Sequence, residues 1–209
     1  MLVKICGIQN EKNLLCCEEN KVDFFGMIFF KKSSRNISFE NAKSLQLFSK
    51  NLNINGVGVF VNENLNSLIE LIKNLGLKYI QLHGDENSEY INEIKKLNVK
   101  IIKKIAIKNI KDLEEVKRFK QVDFFLFDYK PEINEHPGGN AKSFDWEILK
   151  NFDTNIPWFL SGGINLNNID LVKTKIKPPG IDLSSGVEKK LGIKDNEIIN
   201  NFMTELNNG

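Results

Sequence analysis

The sequence predicts an α/β chain built on one closed parallel sheet, and three observations carry this prediction. Eight short apolar runs recur along the 209 residues, at 2–5, 24–30, 54–60, 79–82, 101–105, 123–127, 158–160 and 181–183. Most are β-branched or aromatic and continuous, the pattern of strands covered on both faces in a parallel sheet. They follow one another at about the length of a βα unit. The repeats are near-equal, and no Gly-x-Gly-x-x-Gly follows the first run. Together these favour a single-domain (β/α)8 TIM barrel over an open doubly wound sheet.

The elements follow in chain order. The first run reads LVKI and leads into Cys6-Gly7; Cys16 and Cys17 fall in the helix after it. After the third run, residues 64–75 place Leu65, Leu68, Ile69, Ile72 and Leu75 on one helical face. Residues 89–97 and 109–119 repeat the pattern, the second with Ile110, Leu113, Val116 and Phe119. Asp145-Trp146 starts or continues a helix that packs down, and residues 196–206 close the chain with Ile198, Ile199, Phe202 and Leu206. The lysines between 95 and 104 read as a solvated face. No linker or low-complexity tract divides the chain, so residues 1–209 are read as one domain.

Composition narrows the function. Apolar residues make up 41% and charged residues 27%, as in soluble globular proteins. The net charge is only +2, and two of the 29 basic residues are Arg (Arg35 and Arg118). Arg is the usual fork for phosphates and guanine, so nucleic acid is not an expected partner. Three cysteines with two adjacent make no disulfide framework, which points to a reducing cytoplasm. The opening MLVKICGI is shorter than a signal segment, and no run approaches a membrane span. With only His83 and His136, a His-rich metal site is not expected.

In such a barrel the site forms where strands end. Those positions carry Cys6-Gly7, the stretch 31–35 ending in Arg35, Val61-Asn62, His83-Gly84-Asp85, Asp128, Ser161-Gly162-Gly163 and Ser184-Ser185-Gly186. Gly-rich turns after the last two runs are the usual phosphate seat. There small residues let backbone N–H groups approach the oxygens, and a helix start adds a favourable dipole. The plainer alternative is that these glycines only turn the chain. A Cys ending a strand is commonly a small buried hydrophobe, and Asp128 alone reads equally as a helix N-cap. His83 reads as a hydrogen-bonded structural histidine.

Seven motifs occur in order: KICGI (4–8), SSRNIS (33–38), VGVF (57–60), QLHGDE (81–86), GGNAKSFDW (138–146), LSGGI (160–164) and DLSSGVE (182–188), followed by GIKD (192–195). Together they closely resemble the phosphoribosylanthranilate isomerases of tryptophan biosynthesis, over nearly the whole chain. The resemblance implies an aldose–ketose isomerase performing an Amadori rearrangement on a phosphorylated small-molecule substrate, with no cofactor and no metal. It implies Cys6 as general base, Asp128 as general acid and Arg35 as the holder of the anthranilate carboxylate. It also implies Gly162, Gly163, Ser184, Ser185 and Gly186 as the phosphate seat. The protein is expected to act as a monomer. Two positions depart from the family pattern: Ser34 replaces a Pro, and Asn140-Ala141 replace Thr-Gly in the loop after Asp128.

The chemistry needs a protonated acid and an ionised base. Burial or neighbouring negative charge is expected to raise the Asp128 pKa, and Lys4, on the same strand face as Cys6, to lower that of the thiol. The Gly138-Gly139 stretch is expected to form a mobile cover. Among rivals, the analogous histidine-pathway isomerase uses two Asp, whereas Cys6 ends the first strand here. A metal-dependent epimerase wants several strand-end His, which are missing. A non-catalytic phosphate-binding barrel would not need both Cys6 and Asp128.

Overall fold

The computed structural model describes residues 1–132 and 142–208. Eight strands form the barrel: β1 Leu2–Cys6, β2 Phe24–Phe29, β3 Asn55–Phe60, β4 Tyr79–Leu82, β5 Lys100–Ile107, β6 Phe124–Tyr129, β7 Trp158–Leu160 and β8 Gly180–Leu183. They pair in sequence order, all parallel, and β8 returns to β1. Each parallel step needs a crossover, which the intervening segments supply. A β-strand alternates its side chains between faces, so each barrel strand feeds two cores. The inner one holds Phe24, Val57, Val59, Ile102, Leu126 and Phe159, with Cys6 at its upper edge. Phe24, Phe124 and Phe159 meet there at ring separations of 5.5–6.3 Å. The larger core lies between strands and helices and includes Ile5, Phe25, Ile101, Ile105, Phe125 and Phe127.

The helices start where the sequence supplies caps. Asn10, Ser38, Asn64 and Asn87 accept hydrogen bonds from the first turns of α1 (Glu11–Glu19), α2 (Phe39–Phe48), α3 (Leu65–Leu75) and α4 (Ser88–Lys95). After β7 the chain forms a short α5 (Ile169–Leu171) that runs on as a π-helical stretch, Val172–Ile176. Past β8, a small antiparallel hairpin of β9 (Glu188–Lys190) and β10 (Ile193–Lys194) precedes α6 (Asn196–Asn207), capped by Asp195. Asp145 caps a single 3₁₀ turn at Trp146–Leu149, where Trp146 is buried.

Two expectations need correction. The amphipathic segment after β5 is a 3₁₀ helix, Ile110–Arg118, rather than an α-helix. Its apolar residues, 110, 113, 116 and 119, fall at strict intervals of three, the 3₁₀ repeat, which brings them to one face. Of the lysines from 95 to 104, Lys96 and Lys100 are solvent-exposed as expected, but the last two are not. Lys103 and Lys104 lie inside β5 and are only 1% and 7% exposed. A strand, unlike a helix, turns consecutive residues to opposite sides, and both sides of this one are covered. The Gly138-Gly139 cover, His136 and the Asn140-Ala141 departure lie outside the described residues.

Candidate active site

Cys6, Arg35, His83, Asp128, Ser161, Asp182 and Ser184 line one cleft of about 330 Å³ at the C-terminal ends of the strands. Cys6 closes β1. Its thiol is buried, and burial pushes its pKa up; Lys4 and Lys194 pull it back only in part. Lys4 does lower the thiol pKa, as expected, but burial outweighs it. Lys4 is fully buried, and its Nζ donates to Asp182 Oδ1 at 2.9 Å. Burial opposes the ammonium, but Asp182 and then Cys6 outweigh it, and the Lys4 pKa is raised. Cys6 thus sits beside a buried ion pair that joins β1 to β8.

Across the barrel, Asp128 is the penultimate residue of β6. It lies within the strand and caps no helix; its Oδ1 accepts from the Tyr129 N–H at 2.8 Å. His83 Nε2 stands 3.4 Å from Asp128 Oδ2, and the Gln81 amide meets His83 Nδ1 at 2.8 Å. With the Gln81 Nε2 donating, Nδ1 is the acceptor and Nε2 carries the proton toward the carboxylate. Burial lowers the His83 pKa, Asp128 partly restores it, and Lys104 lowers it again, so the ring is neutral near pH 7. His83 is hydrogen-bonded, as expected of a structural histidine, but it also faces the cleft.

The loop carrying His83 is held from behind. Glu86 accepts from the backbone N–H groups of Asn62 (2.8 Å) and Gly84 (3.2 Å) and from Lys103 Nζ (2.9 Å). Lys103 also donates to the Gly84 carbonyl at 2.7 Å and lies over the Phe119 ring. This pair fixes the ends of β3, β4 and β5 relative to one another.

Arg35 is buried, and its fork is already engaged. Nε donates to Glu188 Oε1 at 2.7 Å and Nη2 to Oε2 at 2.8 Å. Lys194 Nζ reaches the same carboxylate at 2.6 Å, and the Gly192 N–H donates to it at 3.1 Å. Burial raises the Glu188 pKa less than Arg35 and Lys194 lower it, so the carboxyl is held below its ordinary value. Gly7 makes the arrangement possible. Its φ is +85°, and a Cβ there would meet Arg35 Cδ at 2.9 Å.

The two Gly-rich loops also come together. Gly162 and Gly163 have φ of 88° and 80°, and the Gly163 carbonyl accepts from Asn165 and Asn168 at 2.9 Å each. A Cβ on Gly186 would lie 1.9 Å from the Ile164 carbonyl oxygen, so only glycine lets the loop after β8 seat against the loop after β7. Ser184 Oγ donates to the Cys6 carbonyl at 3.1 Å, tying the loop after β8 to the end of β1. Among the described residues, no group of three or more His, Cys, Asp or Glu is placed to hold a metal ion.

A family described as N-(5'-phosphoribosyl)anthranilate (PRA) isomerase matches residues 3–205. The chain belongs to the PRA isomerase family. A relative from Thermoanaerobacter sp. (strain X514), named N-(5'-phosphoribosyl)anthranilate isomerase, is 40% identical over 98% of this chain and 97% of its own. The solved phosphoribosyl anthranilate isomerase of Thermotoga maritima is 32% identical, with a TM-score of 0.86 over 99% of this chain and 98% of that one. A solved complex of the isomerase with reduced 1-(o-carboxyphenylamino)-1-deoxyribulose 5-phosphate is 30% identical, with a TM-score of 0.83 over the same shares. The single barrel matches these relatives along its length.

Glu188, Lys194, Asp182, Gln81 and Lys104 also stand at or beside the cleft, with no role expected of them from the sequence. One signal for some of them is visible in the chain. Charged residues inside apolar strands, such as Lys4, Lys103, Lys104 and Asp182, mark buried partners. Glu188, 153 positions from Arg35, carries no local signal at all.

Proposed function

We infer that the protein is an aldose–ketose isomerase of tryptophan biosynthesis. It converts N-(5'-phosphoribosyl)anthranilate to 1-(o-carboxyphenylamino)-1-deoxyribulose 5-phosphate by general acid–base catalysis. The observation that carries the mechanism is that Cys6 and Asp128, on opposite sides of the barrel, line the same cleft. Asp128 gives its proton to the ring oxygen as the C1′–O bond breaks. The bond's electron pair goes to that oxygen, and the anilino nitrogen forms a C=N bond. The Cys6 thiolate then takes the C2′ proton. The C–H electrons form C1′=C2′, and the C=N electrons return to nitrogen as the enolamine. Protonation at C1′ and loss of the C2′ hydroxyl proton give the ketone, so composition is unchanged. A Brønsted acid and base suffice, and no cofactor or metal takes part.

The substrate's two anionic ends have separate seats. Backbone N–H groups of Gly162, Gly163, Ser184, Ser185 and Gly186 take the phosphate, while the Ser184 hydroxyl stays bonded to the Cys6 carbonyl. Arg35 takes the anthranilate carboxylate through Nη1 and the second N–H of Nη2, since Nε and the first are held by Glu188. Glu188 therefore aims the fork as well as neutralising it. The test is a pair of variants. Asp128→Asn keeps the shape but has no proton to give, and Cys6→Ala removes the base. Each is expected to lower kcat by about 10²–10⁴-fold with KM nearly unchanged. Retention of more than about a tenth of kcat by either contradicts its role.

The protein works as a monomer in the cytoplasm, where its three buried, unpaired cysteines stay reduced. Among the described residues, no helix is long and apolar enough to cross a membrane. The Thermotoga maritima isomerase is described as dimeric, so oligomeric state varies within reach of this fold. Light scattering at 24.0 kDa supports the monomer, and twice that mass refutes it.

A further inference from the structure

One apolar side chain of the cleft stands in water. Five aliphatic or aromatic residues line the cleft: Ile28 and Phe30 at the end of β2, Val59 and Val61 at the end of β3, and Leu191 from the β9–β10 hairpin. The first four are buried or half-buried, whereas Leu191 is 70% exposed, more than any other large apolar residue described. Single exposed apolar residues are ordinary on a protein surface, and Leu47 and Ile110 are such residues, outside the cleft. Leu191 differs because it lines the cleft from a fixed turn. Lys190 pairs with Ile193, which leaves Leu191-Gly192 as a two-residue turn. Gly192 takes a φ of +80°, and its N–H donates to Glu188 Oε2 at 3.1 Å. A Cβ on Gly192 would lie 2.7 Å from the Ser34 carbonyl oxygen, so the turn presses on the loop that carries Arg35.

The substrate has one apolar part, the anthranilate ring, which carries its carboxylate and its nitrogen on adjacent carbons. With the carboxylate on Arg35 and the sugar between Cys6 and Asp128, the ring lies on the β2 side of the cleft. The apolar residues gather on that side. Ile28 and Phe30 belong to the stretch that leads into the Arg35 loop, and β3 is the neighbour of β2 in the sheet. Leu191 reaches the same cleft from the hairpin whose Glu188 holds Arg35 at 2.7 and 2.8 Å. One hairpin therefore fixes the group that takes the carboxylate and presents the side chain that covers the ring. Small-molecule seats combine apolar walls of this kind with a few polar groups that set orientation. A ring lying against Leu191 removes two apolar surfaces from water at once, a gain that a polar residue at this turn would not give.

We propose that Leu191 is a specificity-determining residue, the outer wall of the seat for the substrate's aromatic ring. The proposal rests on the isomerase reading and on Arg35 as the holder of the carboxylate. The ring does not react, so its contact is worth the same in substrate and transition state and shows in KM rather than in kcat. In Leu191→Ser, KM for N-(5'-phosphoribosyl)anthranilate is expected to rise about 3–10-fold, the worth of covering part of a leucine side chain, with kcat changed by less than about twofold. Leu191→Met restores an apolar side chain of similar volume and should return KM to near wild type. Two ligands supply a readout that a merely structural role would not move. The product, 1-(o-carboxyphenylamino)-1-deoxyribulose 5-phosphate, should bind Leu191→Ser more weakly by the same factor in titration calorimetry. Ribulose 5-phosphate, which has the sugar and the phosphate but no ring, should inhibit wild type and variant alike. A Leu191→Ser KM that matches wild type overturns the proposal. So do a Met variant no better than Ser and a ring-free ligand weakened as much as the product. If instead the wild type neither turns over the substrate nor binds the product, the isomerase reading itself fails. A wild type that does both, beside a Leu191→Ser variant that matches it, overturns the role of Leu191 alone.

Discussion

Replacing Glu188 by Gln removes one charge and leaves two buried cations facing each other. Arg35 and Lys194 are 4% and 5% exposed, and both point at this one carboxylate. The Gln oxygen can still accept from Arg35 Nε and Lys194. Its NH2 group, however, lands opposite Arg35 Nη2 and the Gly192 N–H, donor against donor. Breaking a buried pair by removing one partner typically costs about 3–5 kcal/mol. For a domain of this size each kcal/mol lowers Tm by roughly 2–4 °C, so the melt should fall by about 6–20 °C. The pH dependence separates this cause from mere loss of packing. In the wild type the Glu188 pKa lies below its unfolded value of 4.5, so its contribution is present above that pH and is lost as pH falls below it. Glu188→Gln lacks that acid loss. Lys194 is already depressed from 10.5 by burial, and losing its partner depresses it further. The folded variant then binds fewer protons than the unfolded chain, so its deficit shrinks as pH rises toward 10.5. Urea melts across pH, with KM measured beside them, read both effects; KM should rise as Arg35 loses its aim. A loss under about 1 kcal/mol, the size of a surface pair, refutes the reasoning.

Other consequences are equally direct. Lys103→Met leaves Glu86 buried without its cation and is expected to cost about 3–5 kcal/mol in chemical denaturation, whereas Lys96→Met, at an exposed pair, should cost under about 1. Arg35→Ala should raise KM, while Arg118→Ala, on an exposed 3₁₀ segment outside the cleft, should leave it unchanged; steady-state kinetics on both decide it. Because burial raises the Cys6 pKa, the base limb of kcat should rise with pH through a titration above the ordinary thiol value of 9.0. The unfolded chain ionises these thiols first, so stability should fall as pH climbs past that value, through Cys6 and through Cys17, which is also raised by burial. Cys16→Ala and Cys17→Ala should each cost about 1–2 kcal/mol in a melt and keep full turnover.

Much of this architecture is legible in the chain because a parallel barrel writes itself as apolar runs at βα spacing. The runs at 79–82 and 158–160 coincide with β4 and β7, and the rest differ at their ends by one or two residues. The ends of strands then give the cleft, since each barrel strand delivers its last residue to one rim. What escapes is whatever depends on which side a residue faces or on distant partners. Periodicity of three in residues 110–119 separates a 3₁₀ helix from an α-helix only by the missing i+4 positions. Two consecutive lysines in an apolar run look like a surface until the strand's alternation sends one to Glu86 and the other beneath Asp128. The engagement of Arg35 by Glu188 depends on how the β9–β10 hairpin folds back over the loop after β2. No nearby residue announces it.

The most direct test of the central claim is turnover itself. Freshly generated N-(5'-phosphoribosyl)anthranilate is mixed with the protein in D2O, and the loss of anthranilate fluorescence is followed. The account predicts a rate proportional to protein concentration and a ketose phosphate product carrying one solvent deuterium at C1′, because the C2′ proton leaves to a base and C1′ takes a new one. A rate no faster than spontaneous breakdown, or a product with no deuterium at C1′, contradicts it.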